Sequence, residues 1–371
     1  MKNIFVIFFL IFSVFSHSQA ISLKNYAPGK NSSENFRNAL NAIKKEYSGK
    51  KQHVVLFIPA GTYIITEPIV LNKYISIEGE LNATIIKVNT PNHEAVILEE
   101  NRNETDIHNS YNVIRNLTIH GPDFGKNAFE WKDLKRNSPK SVGIRVLGLR
   151  NRIENCSIDG FLWSGIEISS SYYNFITGSF IKNNRIGITI DNNSTSTYIN
   201  NNELRLNSIG ILIQNNSYAN FVNNNMIENN LNNMLYAAKN DSDDSIYTTG
   251  NGIVISNAMS NFIQNNYFEQ QYTNVFIHNS SDNEISSNFI AVNNLNSKEQ
   301  NVLKLSGKSN RNVFTKNQTM GPNPNIDITK ILVSPVNNYS SNVVDFGKEK
   351  NEKLRGKLRN AKNPSQLPQI P

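Results

Sequence analysis

Apolar and polar residues alternate in short runs along most of this chain. Ile188, Thr189 and Ile190 form one such run, and Ile166, Glu167 and Ile168 form another. Alternation over so few residues predicts strands with one buried face, not helices. The runs recur with a fixed order. A Gly-Ile unit stands at Gly143-Ile144, Gly165-Ile166, Gly187-Ile188, Gly210-Ile211 and Gly252-Ile253. Asn-Phe-Ile stands at Asn174–Ile176 and again at Asn261–Ile263, with variants at Thr197–Ile199 and Asn220–Val222. The middle steps are about 22 residues, and the last is nearly double.

Three short strands per copy, stacked copy on copy, predict a right-handed parallel β-helix. A single copy cannot bury its apolar side alone, and stacking turns the inward Ile column into a continuous core. The fold class expected is therefore all-β, a single-stranded solenoid with a short N-terminal capping helix. That helix is expected between Ser33 and Tyr47, where Phe36, Ala39, Leu40, Ile43 and Tyr47 share one face. Asn makes up about one residue in six. Its tolerance of left-handed backbone suits the tight corners between strands. Asn202, Asn225, Asn266 and Asn288 fall at one corner of successive coils, where a hydrogen-bonded ladder is expected.

Residues 1–20 read as a signal peptide. Lys2 supplies the charged start, Ile4 to Val14 the apolar run, and Ser16 and Ser18 small residues for cleavage. The expectation is a secreted or periplasmic protein. Residues 21–347 form the β-helix domain, and residues 348–371 a basic, flexible C-terminal tail. The chain carries a formal +7, of which the tail supplies about +5, so the body is close to neutral. Nothing in the body suggests nucleic-acid binding. The one cysteine, Cys156, falls on the inward register and excludes an internal disulfide.

Within this frame the opening segment is informative. A helix, then Pro59, Ala60, Gly61, Thr62 and Tyr63, then a strand, then Ile77, Glu78 and Gly79, resemble the start of the pectate-lyase-like and phage-tailspike-like β-helix proteins. The resemblance covers most of the chain beyond the leader. It implies the fold, and it is shared by lyases, hydrolases, epimerases and tailspikes, some of them trimeric.

Neighbours in a strand point to opposite faces. If Ile166 and Ile168 face inward, then Glu167 and Ser169 face out, with Arg145 one coil below and Thr189, Asp191, Leu212 and Gln214 above. His278 belongs to the same outer face. Long connections lead into this sheet at His120–Val142 and Asn229–Gly250, with a shorter one at Asn293–Asn301, and are expected to wall a groove. Glu167 and Asp191 lie one coil and two residues apart, a backbone separation of roughly 8 Å, which suits an inverting pair of carboxylates. Arg145 below Glu167 equally suits a surface ion pair.

The connecting segments are rich in Lys and Arg. Trp131 and Trp163 fall in the same connection of neighbouring coils. Aromatic faces pack on sugar rings, and Arg pairs with sugar carboxylates or sulfates. Together they point to an acidic polysaccharide bound by Trp131, Trp163, Arg136, Arg185 and Gln214. The first expectation is an exported polysaccharide lyase acting by β-elimination. The family resemblance implies that basic residues or bound Ca²⁺ do this work, and Arg145, Lys182 and Arg205 are the candidates. Asp241–Asp244 is an acidic loop that could take Ca²⁺. The second is an inverting glycoside hydrolase or tailspike-like depolymerase using Glu167 and Asp191. The third is a non-catalytic glycan-binding solenoid. Lys182 and Arg205 also share a column with Asp159, Glu228 and Glu269, where pairing between coils is expected.

Overall fold

A computed structural model describes residues 19–26, 29–47, 52–90, 94–99, 111–122, 141–231, 246–295, 298–333, 341–358 and 369–371. The chain winds as a parallel β-helix. Its strands form one twelve-stranded and two ten-stranded sheets, all parallel, joined coil by coil. One coil runs Phe175–Thr177 in the first sheet, Phe180–Lys182 in the second and Ile186–Asp191 in the third. Ile176, Ile181 and Ile188 from these strands are fully buried, and their counterparts above and below continue three apolar columns into one core.

The corners explain the asparagine. Between the first two sheets, Asn201, Asn224 and Asn265 adopt left-handed backbone, and each precedes a ladder residue. Asn202, Asn225, Asn266, Asn288 and Asn317 stack there, each side-chain amide donating to the next carbonyl oxygen at 2.9–3.0 Å. Two further ladders escape the sequence reading. Asn220, Asn261, Asn283, Asn312 and Asn342 line the corner before the first sheet. Asn184, Asn207 and Asn230 line the corner before the third. An isolated buried amide is costly, and stacking supplies each one with partners above and below.

Helices close both ends. Ser32–Tyr47 buries Phe36, Ala39 and Ile43 in the core beside the first coil. The tail expected to be flexible from Lys348 instead opens with a helix, Lys348–Leu358. Leu354 enters the core, Asn351 is buried, and Lys350 Nζ donates to the Thr319 carbonyl at 2.9 Å. Its charged composition suggested solvation, but one apolar residue on the inner face is enough to seat it.

The first strand, Gln19–Ser22, pairs with Val54–Ile58 and so begins inside the segment assigned to the signal peptide. Residues 1–18 lie outside the described residues. Cys156 is buried as expected, and burial pushes its thiol pKa up to about 12.

Candidate active site

The third sheet carries the candidate residues on its outer face. Arg145 pairs with Glu167 and Glu167 with Thr189 in register, while Ser169 pairs with Asp191. The expected offset between the two carboxylates is thus the one the strands adopt. A glycine in each strand permits this close stacking. A Cβ on Gly165 would lie 2.8 Å from the carbonyl oxygen of Gly187 in the next coil.

Arg145 sits between two carboxylates. Its Nε lies 2.9 Å from Glu94 and its Nη1 3.2 Å from Glu167. Glu94 was missed from sequence, because it belongs to an irregular stretch before the strand Val96–Leu98 and no periodicity marks it. Glu167 is only 8 % exposed. Burial raises its pKa above the ordinary glutamate value. The Arg145 charge opposes this, the Asp191 charge adds to it, and a hydrogen bond from Trp163 opposes it. Asp191 is less buried, and three N–H donors fix its carboxylate: Asn192 N at 2.8 Å, Gln214 Nε2 at 3.2 Å and Asn215 Nδ2 at 2.7 Å. The arrangement joins a desolvated carboxyl to a fixed, more accessible carboxylate one coil away.

Several sequence assignments change. Trp163 was expected to offer a face to sugar. Instead it acts on Glu167 as a hydrogen-bonding group that holds the carboxyl's pKa down, the Arg185 guanidinium lies 5.3 Å from its ring centroid, and Tyr247 packs at 6.1 Å. Gln214 was expected to contact substrate. Its Nε2 is given to Asp191, and its Oε1 accepts from the Tyr247 hydroxyl at 3.0 Å, so it positions Asp191. Arg145 is engaged by two acids, so its guanidinium is committed to holding Glu167.

Lys182 and Arg205 stand on the second sheet, not on the face that bears Glu167. Lys182 Nζ lies 3.8 Å from Asp159 in the coil below, as column pairing predicts. Arg205 turns to Glu203 on its own strand, at 3.2 Å, and not to Glu228. Neither joins the carboxylate pair. Trp131, Arg136 and the Asp241–Asp244 loop lie outside the described residues.

The groove is also shorter than expected. Outward Ile186, Ile209, Leu212, Val254 and Phe276 form a second apolar cluster, against which Trp163, Ile246 and Tyr247 pack. The end of the long connection before Gly250 therefore covers the middle coils. Beyond the coils of Arg145, Glu167 and Asp191 the column of Leu212, Val254 and Phe276 is apolar, while the outer column stays polar through Gln214, Ser256, His278 and Ser306.

Residues 21–236 match the family model described as rhamnogalacturonase A/epimerase, pectate lyase-like. The chain belongs to this family. The match contains all the residues of the floor. No curated protein matches the sequence. Among solved structures, the DFA-IIIase of Arthrobacter chlorophenolicus A6 in complex with GF2 superposes with a TM-score of 0.61 at 12 % identity, covering 88 % of this chain and 94 % of that one. ORF18 of Geobacillus virus E2 gives 0.53 at 14 % identity, with 86 % of this chain covered and 60 % of that protein's length spanned. The enzymatically active domain of tailspike protein 2 from bacteriophage CBA120 gives 0.57 at 10 % identity, with coverages of 89 % and 48 %. At these identities the likeness is one of fold.

Proposed function

We propose that this protein is a carbohydrate-active enzyme that hydrolyses a glycosidic bond with Glu167 as acid and Asp191 as base. The carrying observation is the contrast between the two carboxyls. Glu167 is desolvated, which favours its protonated form, and Asp191 is fixed by three N–H donors one coil away. Family membership supports a sugar substrate, since the family's description joins a rhamnogalacturonase, an epimerase and a pectate lyase.

In this reading Glu167 gives its proton to the departing glycosidic oxygen as the bond to the anomeric carbon breaks. Asp191 takes a proton from water, and the hydroxide enters at that carbon from the opposite face. Arg145 holds Glu167 in place and then offsets its negative charge. The test is product analysis on a glycan panel, with Glu167→Gln and Asp191→Asn alongside. Each variant is expected to lose about 10²–10⁴-fold in rate while staying folded. Full activity in both would end the proposal.

β-Elimination is the second reading. The observation favouring it is Arg185, a cation at the groove corner without an ion pair among the described residues. An unsaturated product lighter by one water would establish it over hydrolysis. We further propose export, with the residues before Gln19 as the leader, tested by N-terminal sequencing of protein recovered outside the cytoplasm.

A further inference from the structure

Tyr247 stands outside the repeat, in the last residues of the long connection before Gly250. Its ring is seated on the outward apolar cluster of Ile186, Ile209, Leu212, Val254 and Phe276, and lies 6.1 Å from the ring of Trp163. A ring packed on several apolar neighbours has few positions open to it, so its hydroxyl is held at one place. That place is Gln214. The hydroxyl donates to Gln214 Oε1 at 3.0 Å, and Gln214 Nε2 donates to Asp191 Oδ2 at 3.2 Å.

The direction of this chain of bonds matters. A glutamine amide is nearly symmetric in shape and can turn over, exchanging its carbonyl for its NH₂. Turned the wrong way, Gln214 sets a carbonyl oxygen against the Asp191 carboxylate, two acceptors with no proton between them. The Tyr247 hydroxyl opposes this by giving the carbonyl end a donor of its own. Gln214 is only 5 % exposed, so water is a poor substitute for that donor. Successive bonds of one direction also polarise one another, which strengthens the N–H that reaches Asp191. The other two donors to Asp191, Asn192 N and Asn215 Nδ2, make their bonds at the exposed surface, where water competes.

We propose that Tyr247 is a positioning residue for the carboxylate of Asp191, acting through Gln214: its hydroxyl fixes which end of the Gln214 amide faces the acid. This rests on the reading that Asp191 is the base, and it gives the long connection before Gly250 a part in that reaction. Tyr247 touches no reacting atom. It sets the orientation of a group that does its work two bonds away.

The first measurement needs no substrate. Hydrogen exchange of the Gln214 side-chain amide is followed by NMR in the whole protein, with the signal assigned by its loss in Gln214→Leu. In wild type these protons are expected to exchange about tenfold or more slowly than those of the exposed Gln318. Tyr247→Phe keeps the ring and removes the hydroxyl, and should remove most of that protection. Wild-type exchange as fast as that of Gln318 overturns the proposal, and so does protection that survives in Tyr247→Phe. If Tyr247→Phe fails to fold by circular dichroism, the wild-type comparison decides.

Kinetics on rhamnogalacturonan, or on the panel glycan that wild type cleaves faster, give the second measurement. Tyr247→Phe should lower kcat about tenfold and leave KM within about twofold. Gln214→Leu should lower kcat at least as much, and Tyr247→Phe should cost nothing further in that background. Additive losses, or a change in KM alone, overturn the proposal. The hydrolase reading is judged apart from it. Full activity in Glu167→Gln and Asp191→Asn removes that reading, while amide exchange still tells whether Tyr247 holds Gln214. Inactive carboxylate variants beside a Tyr247→Phe protein unchanged in kcat and in exchange remove the positioning role and leave the hydrolase.

Discussion

Trp163 acts on Glu167 as a hydrogen-bonding group that opposes the rise in its pKa caused by burial. Arg185 lies over the ring of the same tryptophan. That bond favours the ionised carboxylate and partly counters the effect of burial. Trp163→Phe keeps the ring and loses the donor. The Glu167 pKa should then rise further, and the basic limb of the pH–rate profile should move to higher pH. A ring that served only as a sugar platform would raise KM and leave the limb where it was.

The same carboxyl sets the wild-type profile. The acid works only when protonated, so activity should fall as pH rises through a value above the ordinary 4.5 of glutamate. Stability has the same sign. A carboxyl with a raised folded-state pKa contributes below its unfolded value, and that contribution is lost as pH rises through the folded one. Glu167→Gln should flatten this loss in urea melts taken across the acid range.

His120 works in the opposite sense. Burial, with Lys182 and Lys87 nearby, lowers its pKa from 6.5 to about 4. The unfolded chain takes up this proton first as acid is added. Stability should therefore be lost as pH falls from 6.5 towards 4 and be complete above that window. His120→Gln should narrow the difference in urea midpoint between neutrality and about pH 5.

Gly165→Ala tests the spacing of the two carboxylates without touching either. The new Cβ would lie 2.8 Å from the Gly187 carbonyl oxygen and 2.9 Å from the Asn184 amide nitrogen. It should part the strand bearing Glu167 from the strand bearing Asp191. The expected loss is about 1–3 kcal/mol in stability, by overpacking, with a fall in kcat. Unchanged kcat would mean that the spacing is not critical.

The ladder makes an unequal prediction for adjacent asparagines. Asn225 donates to Ile199 and Asn266 and accepts from Asn202, all buried, and donates to the partly buried Asn223 carbonyl. Asn225→Ala should cost about 3 kcal/mol or more, since buried partners are left unpaired. Asn224 is exposed with a left-handed φ of 55°. Asn224→Gly should change stability by no more than about 0.5 kcal/mol. Denaturant melts of the two variants give the comparison.

The coil was legible in the sequence because stacking imposes a repeat on it. Ile166, Ile188 and Ile211 had to recur, and so did the corner asparagines. The outward register of Arg145, Glu167 and Asp191 followed from strand alternation. What was not legible depends on residues outside the repeat. Glu94 reaches Arg145 from an irregular stretch, and Tyr247 reaches Gln214 from the end of a long connection. Trp163 stands at a corner, where no alternation says which way a ring turns. Leu212, Val254 and Phe276 were visibly apolar and outward, but their cover comes from Ile246 and Tyr247, which no period marks. Charge was the poorest guide. Lys182 and Arg205 were plausible as bases by type alone, yet their sheet faces elsewhere.

Every coil offers the next one an open row of backbone donors and acceptors, so a bare end would be a growing tip. A second molecule could add there as readily as the chain's own next turn. The helices Ser32–Tyr47 and Lys348–Leu358 act as stoppers at those tips. The few side chains that seat them, Phe36 and Ile43 at one end and Leu354 at the other, are what close off the ends of the apolar core.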